Sequence, residues 1–159
     1  MAIYMKYGSI DGAITTQGYS KWVELDSFSL GVSRHIGTAA RTEAAREASE
    51  PSLTEITVTK TMDVASPKLF IEGVASDLKN KVEIKFTTTK VKTVTDFLSY
   101  ELTDVGLAHY GVSAGAEGIP VETLVLNYTK IQMKFTSMGA GVSGSPETVG
   151  YDLTQMQTT

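Results

Sequence analysis

The run VETLVLNYTKIQMKFTSM constrains this chain more than any other stretch of it. Leu124, Leu126 and Tyr128 recur at every second position, and Ile131, Met133 and Phe135 continue at the opposite parity. Alternation with a period of two puts successive side chains on opposite faces of a pleated strand, so this run is a strand with one face in a core. The change of parity near Thr129-Lys130 requires an extra residue, which a β-bulge supplies.

The same signature recurs along the chain. Ile3, Met5 and Tyr7 alternate, with turn signals following at Gly8 and Asp11-Gly12. A second strand starts at Trp22, where Val23 and Leu25 share one parity and Phe28, Leu30 and Val32 the other. That flip at Asp26-Ser27 predicts a second bulge and leaves Ser27, Ser29, Gly31 and Ser33 on a small, polar face. Leu53 to Thr61, KVEIKFTTTK, TDFLSYELTDVGLAHYGVSA with a bend at Gly106, and a last strand from Tyr151 complete the set. One helix is expected after Ser66-Pro67, running to Leu78 at most, with Ser66 as N-cap and Leu69, Phe70 and Val74 as an apolar stripe against the β-structure. Gly139 to Pro146 reads as a Gly/Ser-rich loop. The pattern predicts about eight antiparallel strands in a single domain spanning all 159 residues. Closure into a barrel suits it, because closure removes exposed edges.

Between the second and third strands lies His35 to Pro51, HIGTAARTEAAREASEP, 17 residues of polar and charged chain. Unstructured loops beyond about 12–15 residues are uncommon and tend to be functional or disordered. A barrel core needs no such arm, so the arm is expected to reach another subunit. Its Ala, Arg and Glu content favours helix, but helices this short are marginal in isolation. An extended or partly helical arm, ordered by contact, is the expectation; a plain surface loop is the alternative.

Chemistry is sparse. The chain has no cysteine, which excludes disulfides, thiolate metal sites and a cysteine nucleophile. Its two histidines are His35 and His109, and no HExxH, GxSxG, P-loop or GxGxxG motif occurs. The stretch GAGVSGSP lacks the GK[ST] that completes a phosphate cradle. Asp104 and His109 have no serine at a defined spacing, and Asp96, Glu101 and Asp104 match no calcium loop. Trp22 reads as a rim residue of the core rather than a ligand-stacking ring. No catalytic, cofactor or metal residue is assigned, and no enzyme activity is expected. The net charge of −4, with both signs interspersed, argues against a nucleic-acid partner. No signal peptide or run of 18 apolar residues is present, so membrane insertion is not expected and the cytoplasm is the starting compartment.

Taken in order, IYMKYGSIDGA, WVELDSFSLGVSR, the arm, EITVTKTMDVASPKLFIEGVA, KVEIKFTTT and LNYTKIQMKF resemble the haemolysin-coregulated protein (Hcp) family of type VI secretion systems across essentially the whole chain. The resemblance implies a mainly β fold, an antiparallel β-barrel of two sheets with one short flanking helix and a long extended loop. It implies homo-hexameric rings stacked into the inner tube of a contractile, phage-tail-like machine, inside a contractile sheath and tipped by a VgrG spike. It further implies export from the bacterial cytoplasm without a cleaved signal, and carriage of small effectors in the ring. No C-terminal toxin extension is expected.

By match of position, His35, Arg41, Glu43, Arg46 and Glu47 are the candidate inter-subunit contacts on the arm. Ser27, Ser29 and Ser33 are the candidate lumen-facing residues. A small-molecule-binding barrel and a phage-type tail tube protein are the alternatives. The first needs an open interior, and Phe28, Phe86, Tyr128 and Phe135 are large enough to fill one.

Overall fold

The structure, a computed structural model, describes residues 1–37, 48–90, 93–137 and 145–159. Among the described residues twelve strands and one helix follow in the order β1 (Ala2–Tyr7), β2 (Val23–Leu25), β3 (Ser27–Ser29), β4 (Val32–Ser33), β5 (Ser52–Leu53), β6 (Ile56–Thr61), α1 (Ser66–Ala75), β7 (Asn80–Lys90), β8 (Thr93–Ser113), β9 (Val121–Asn127), β10 (Lys130–Phe135), β11 (Glu147–Asp152) and β12 (Gln157–Thr158). All pairings are antiparallel.

Two sheets share their strands. The first runs β12-β11-β10-β8-β7-β1-β2, and the second runs β3-β6-β9-β8. The 21-residue β8 belongs to both: its first half pairs with β7 and β10, and its second half with β9. β2 and β3 form one bent strand, the first part on β1 and the second on β6. The ladders therefore run β2, β1, β7, β8, β9, β6 and β3, and the chain itself joins the two ends, β2 and β3, through the bend at Asp26.

This corrects the reading of the two parity flips as bulges. At Asp26 the chain leaves the first sheet for the second, and at Tyr128-Thr129 it passes from β9 in the second to β10 in the first. A strand that changes sheets must turn its other face to the core, which produces the same parity signature. Register irregularities do occur, but within β7–β8 and between Leu107 and His109 of β8 against β9. Asp104 sits at the bend of β8 in the left-handed region, φ 52°, with its carboxylate accepting from Thr129 Oγ1 at 3.2 Å.

The core lies between the sheets, built from Met5, Tyr7, Val23, Leu25, Ile56, Val58, Val82, Ile84, Leu102, Leu124 and Leu126. Phe28, Phe86 and Tyr100 pack at ring centroid distances of 5.0 to 6.1 Å towards one end. Phe135 does not fill the interior: it is 46% exposed on β10. Trp22 is at the rim, edge-on to Tyr19 and under the Lys85 ammonium at 5.4 Å.

The helix ends within the expected bound but departs from expectation at its N-cap and in its orientation. It ends at Ala75, and its N-cap is Ala65, with Ser66 inside the first turn and no side-chain cap. Ser66 and Leu69 are its buried residues. Gly73 lies against Tyr110, where an added Cβ would stand 3.2 Å from the Tyr110 Cβ. Ser66 and Leu69 thus enter the core, Gly73 stays exposed beside Tyr110, and Phe70 and Val74 turn outward, 52% and 69% exposed.

Candidate assembly surfaces

Three surfaces are left for function. The first is the outer face of the second sheet. Side chains directly opposite in antiparallel strands point to the same side. The ladder Ser27, Thr59, Thr123, Gly111 makes one cross-strand row, and Ser29, Thr57, Val125, His109 makes the next. These rows carry hydroxyls, one glycine, one valine and one imidazole, and no carboxylate or ammonium. Ser27 and Thr59 share a hydroxyl hydrogen bond across the first row. Ser27 and Ser29 therefore stand together as expected, and both are exposed. Ser33 is elsewhere: it pairs with Ser52 in the separate β4–β5 ribbon, because the chain leaves the second sheet after Ser29. The Gly31 backbone is held there by Thr54, whose side-chain oxygen accepts from Gly31 N–H at 2.8 Å and whose N–H donates to the Gly31 carbonyl at 2.9 Å.

The second surface is the stem of the arm. Val32–Ser33 pairs with Ser52–Leu53, and an isolated bridge joins Ile36 to Ala48. His35 N–H donates to Ser49 Oγ at 3.0 Å, and its carbonyl accepts from Ser49 N–H at 2.9 Å. The described part of the arm is thus a two-stranded ribbon, with His35 exposed on it. Arg41, Glu43, Arg46 and Glu47 lie outside the described residues.

Beside the stem is an apolar groove of about 320 Å³, walled by Leu30, Val32 and Leu53 on the arm side and by Met133, Val149 and Tyr151 on the β10–β11 side.

The third surface surrounds α1 and rests on a buried charge cluster that the sequence reading missed. Lys60 and Glu122 are register partners on β6 and β9, both with no exposed surface. Lys60 Nζ pairs with Glu122, with Asp63 Oδ1 at 2.9 Å and with Ser66 Oγ at 3.3 Å. Glu122 accepts further from Ser66 Oγ at 2.8 Å and from the Tyr110 hydroxyl. Burial first, and then the hydrogen bond and charge of Glu122, push the Tyr110 phenol up to about 12. The cluster satisfies each of its members, as buried charge requires. Its signal was present in the alternation: Lys60 continues the core parity of Ile56 and Val58, and Glu122 that of Leu124 and Leu126.

Among the described residues no group of three or more His, Asp or Glu side chains is placed to hold a metal ion. Asp96 pairs with Lys85 at 3.9 Å and Glu101 with Lys81 at 3.1 Å, so the acidic residues of β8 do not converge. Among the described residues no helix is long and apolar enough to cross a membrane.

The fold is shared with solved proteins. A structure described as a type six secretion system protein superposes with a TM-score of 0.88 at 24% identity, covering 99% of each chain. Hcp1 from Salmonella typhimurium matches with a TM-score of 0.76 at 20% identity, over 99% of this chain and 98% of that one. A type VI secretion system effector from Yersinia pestis matches with a TM-score of 0.73 at 16% identity, over 94% and 98%. No curated protein sequence matches. At these identities the likeness establishes the fold, but residues 4–135 also match the family model described as type VI secretion system effector, Hcp. That match spans most of the chain, from β1 through the arm and α1 to the end of β10, and on it the chain belongs to the Hcp family of the type VI secretion system.

Proposed function

We propose that this chain is a structural subunit of the type VI secretion inner tube. Six copies form a ring, rings stack, and the tube leaves the cell with the VgrG spike when the surrounding sheath contracts. The observation that carries this reading beyond family membership is the pairing of a sheet face whose two central rows hold no carboxylate or ammonium with a two-stranded stem. Two rows dominated by Ser and Thr, with Gly111, Val125 and His109 at the β8–β9 side, suit the wall of a wide polar channel, since they offer hydrogen bonds without a carboxylate or ammonium that would trap a passing protein. Ser27 and Ser29 belong to that wall; Ser33 belongs to the arm. A stem held by backbone bonds at Val32–Ser33 and Ser52–Leu53 gives the arm a fixed exit direction, which a subunit contact needs.

The reading assigns the chain no reaction. Its cargo is a small effector held in the lumen, and export needs no cleaved signal. The test is deletion of residues 38–49 with closure of the stem. The expected product is a folded monomer that no longer makes rings. Rings that persist in the deletion remove the arm from the main contact.

A further inference from the structure

We propose that the outward face of α1 on one copy docks into the groove between the arm stem and the β10–β11 ladder of the next copy. The inference rests on the tube-subunit reading and names the two surfaces that meet.

Exposed large apolar side chains are unevenly spread. Val64, Phe70, Ile71, Val74, Leu78 and Val112 are 49% to 69% exposed, and all lie on or beside α1. At about 100° per residue, Phe70, Val74 and Ile71 fall within a third of the helix circumference, with Phe70 at the edge nearest Ser66, about 40° round from it, and Ile71 furthest from Ser66 and Leu69. Phe70 is anchored edge-on against Tyr110 at 5.7 Å. The exposed parts of these six residues sum to roughly 700 Å², of the order of the ~800 Å² that each partner contributes to a standard protein contact.

The groove supplies the matching shape. Its walls are Leu30, Val32, Leu53, Met133, Val149 and Tyr151, and its volume is about 320 Å³. That is roughly ten water volumes, room for the ten side-chain carbons of a Phe and a Val together. A convex apolar helix face with anchors at i, i+1 and i+4 is what a hydrophobic groove receives. The two surfaces lie on opposite halves of β8: Tyr100 at the groove and Tyr110 beneath α1. Ten strand residues separate them, a path of about 30 Å. A chain with the knob at one end and the hole at the other cannot satisfy both within itself. Copies joined this way meet head to tail, and such a contact closes into a ring if its rotation permits.

The test uses the full chain with Val74→Asp, which spoils the helix face and leaves the groove intact, and Val149→Asp, which does the reverse. Both positions are exposed, and circular dichroism with a urea midpoint checks that each variant folds. Ile71→Asp is the second helix-face variant. Light scattering is expected to show each variant alone as a monomer, with contact affinity weakened about 30-fold or more. An equimolar mixture of Val74→Asp and Val149→Asp is expected to form dimers and stop there, because one intact helix meets one intact groove. Wild-type rings with variants of unchanged mass overturn this contact and leave the tube-subunit reading standing. Monomeric variants whose mixture yields no dimer also overturn it, in favour of a helix-to-helix contact or other surfaces. A wild-type chain that is monomeric at high concentration overturns both.

Discussion

Lys60 and Glu122 face each other across β6 and β9 with no surface exposed, and Ser66 of α1 bonds both. A buried ion pair is a poor source of net stability, because desolvating two charges offsets most of their attraction. What the pair does is tie the first turn of α1 to the inner ends of two strands. The orientation of the helix, and so the direction in which Phe70 and Val74 face, depends on that tie.

Removing one partner should cost far more than removing both. Lys60→Met leaves the Glu122 carboxylate buried without its cation, and the expected loss is about 3–5 kcal/mol. Glu122→Leu should cost somewhat less, since Asp63 still pairs with Lys60. The double variant Lys60→Met/Glu122→Leu should recover much of the loss. Urea unfolding of the four proteins measures the coupling. Strictly additive losses would mean that the two charges do not act as a pair.

Stability should also fall in alkali. Tyr19, Tyr110 and Tyr128 are each pushed up to about 12 from 10.0, burial being the first cause in all three. A phenol whose folded value exceeds its unfolded value keeps more protons in the native state. Its contribution is complete below about pH 10 and declines between 10 and 12, as the unfolded chain ionises first. Unfolding free energy should be level from pH 8 to 10 and drop above it, with tyrosinate absorbance appearing on unfolding. Native-state titration of these three phenols near 10 would contradict the assignment.

Gly12 turns the chain where no side chain fits. A Cβ there would meet the carbonyl of Trp22 inside van der Waals contact, and that carbonyl is backbone with little room to yield. Gly12→Ala should therefore destabilise by about 1–3 kcal/mol, the usual cost of overpacking, and lower the Tm by several degrees. An unchanged Tm would show that the β1–β2 connection adapts freely.

Ser29 tests the outer face of the second sheet. Ser29→Trp adds bulk to an exposed position opposite Thr57 and leaves the core untouched. Rings should form normally while small proteins that co-purify inside them are lost. Cargo retained at wild-type level would place Ser29 away from it.

Strands were legible wherever one face is apolar, because period-two alternation survives in the sequence whatever sheet the strand joins. Both parity flips marked real events at Asp26 and Thr129, but parity does not distinguish an extra residue from a strand that changes sheets. That difference depends on which neighbour pairs with each half, a long-range fact. The helix was placed correctly and turned the wrong way. Leu69, Phe70 and Val74 look like one stripe, yet only Leu69 of the three is buried, together with Ser66, while Gly73 passes close to Tyr110. Ser66 before a proline reads as an N-cap, but its hydroxyl serves Glu122 instead. Of the candidate site residues, Ser27 and Ser29 share a face because they lie two apart in one strand. Ser33 does not, because a two-residue break at Leu30-Gly31 carries it into the arm.

The most direct test of the central claim is the solution mass of the purified chain by light scattering, with negative-stain images of the same peak. The account predicts a mass of six chains and annular particles with an open centre. A strictly monomeric peak at high concentration would contradict it.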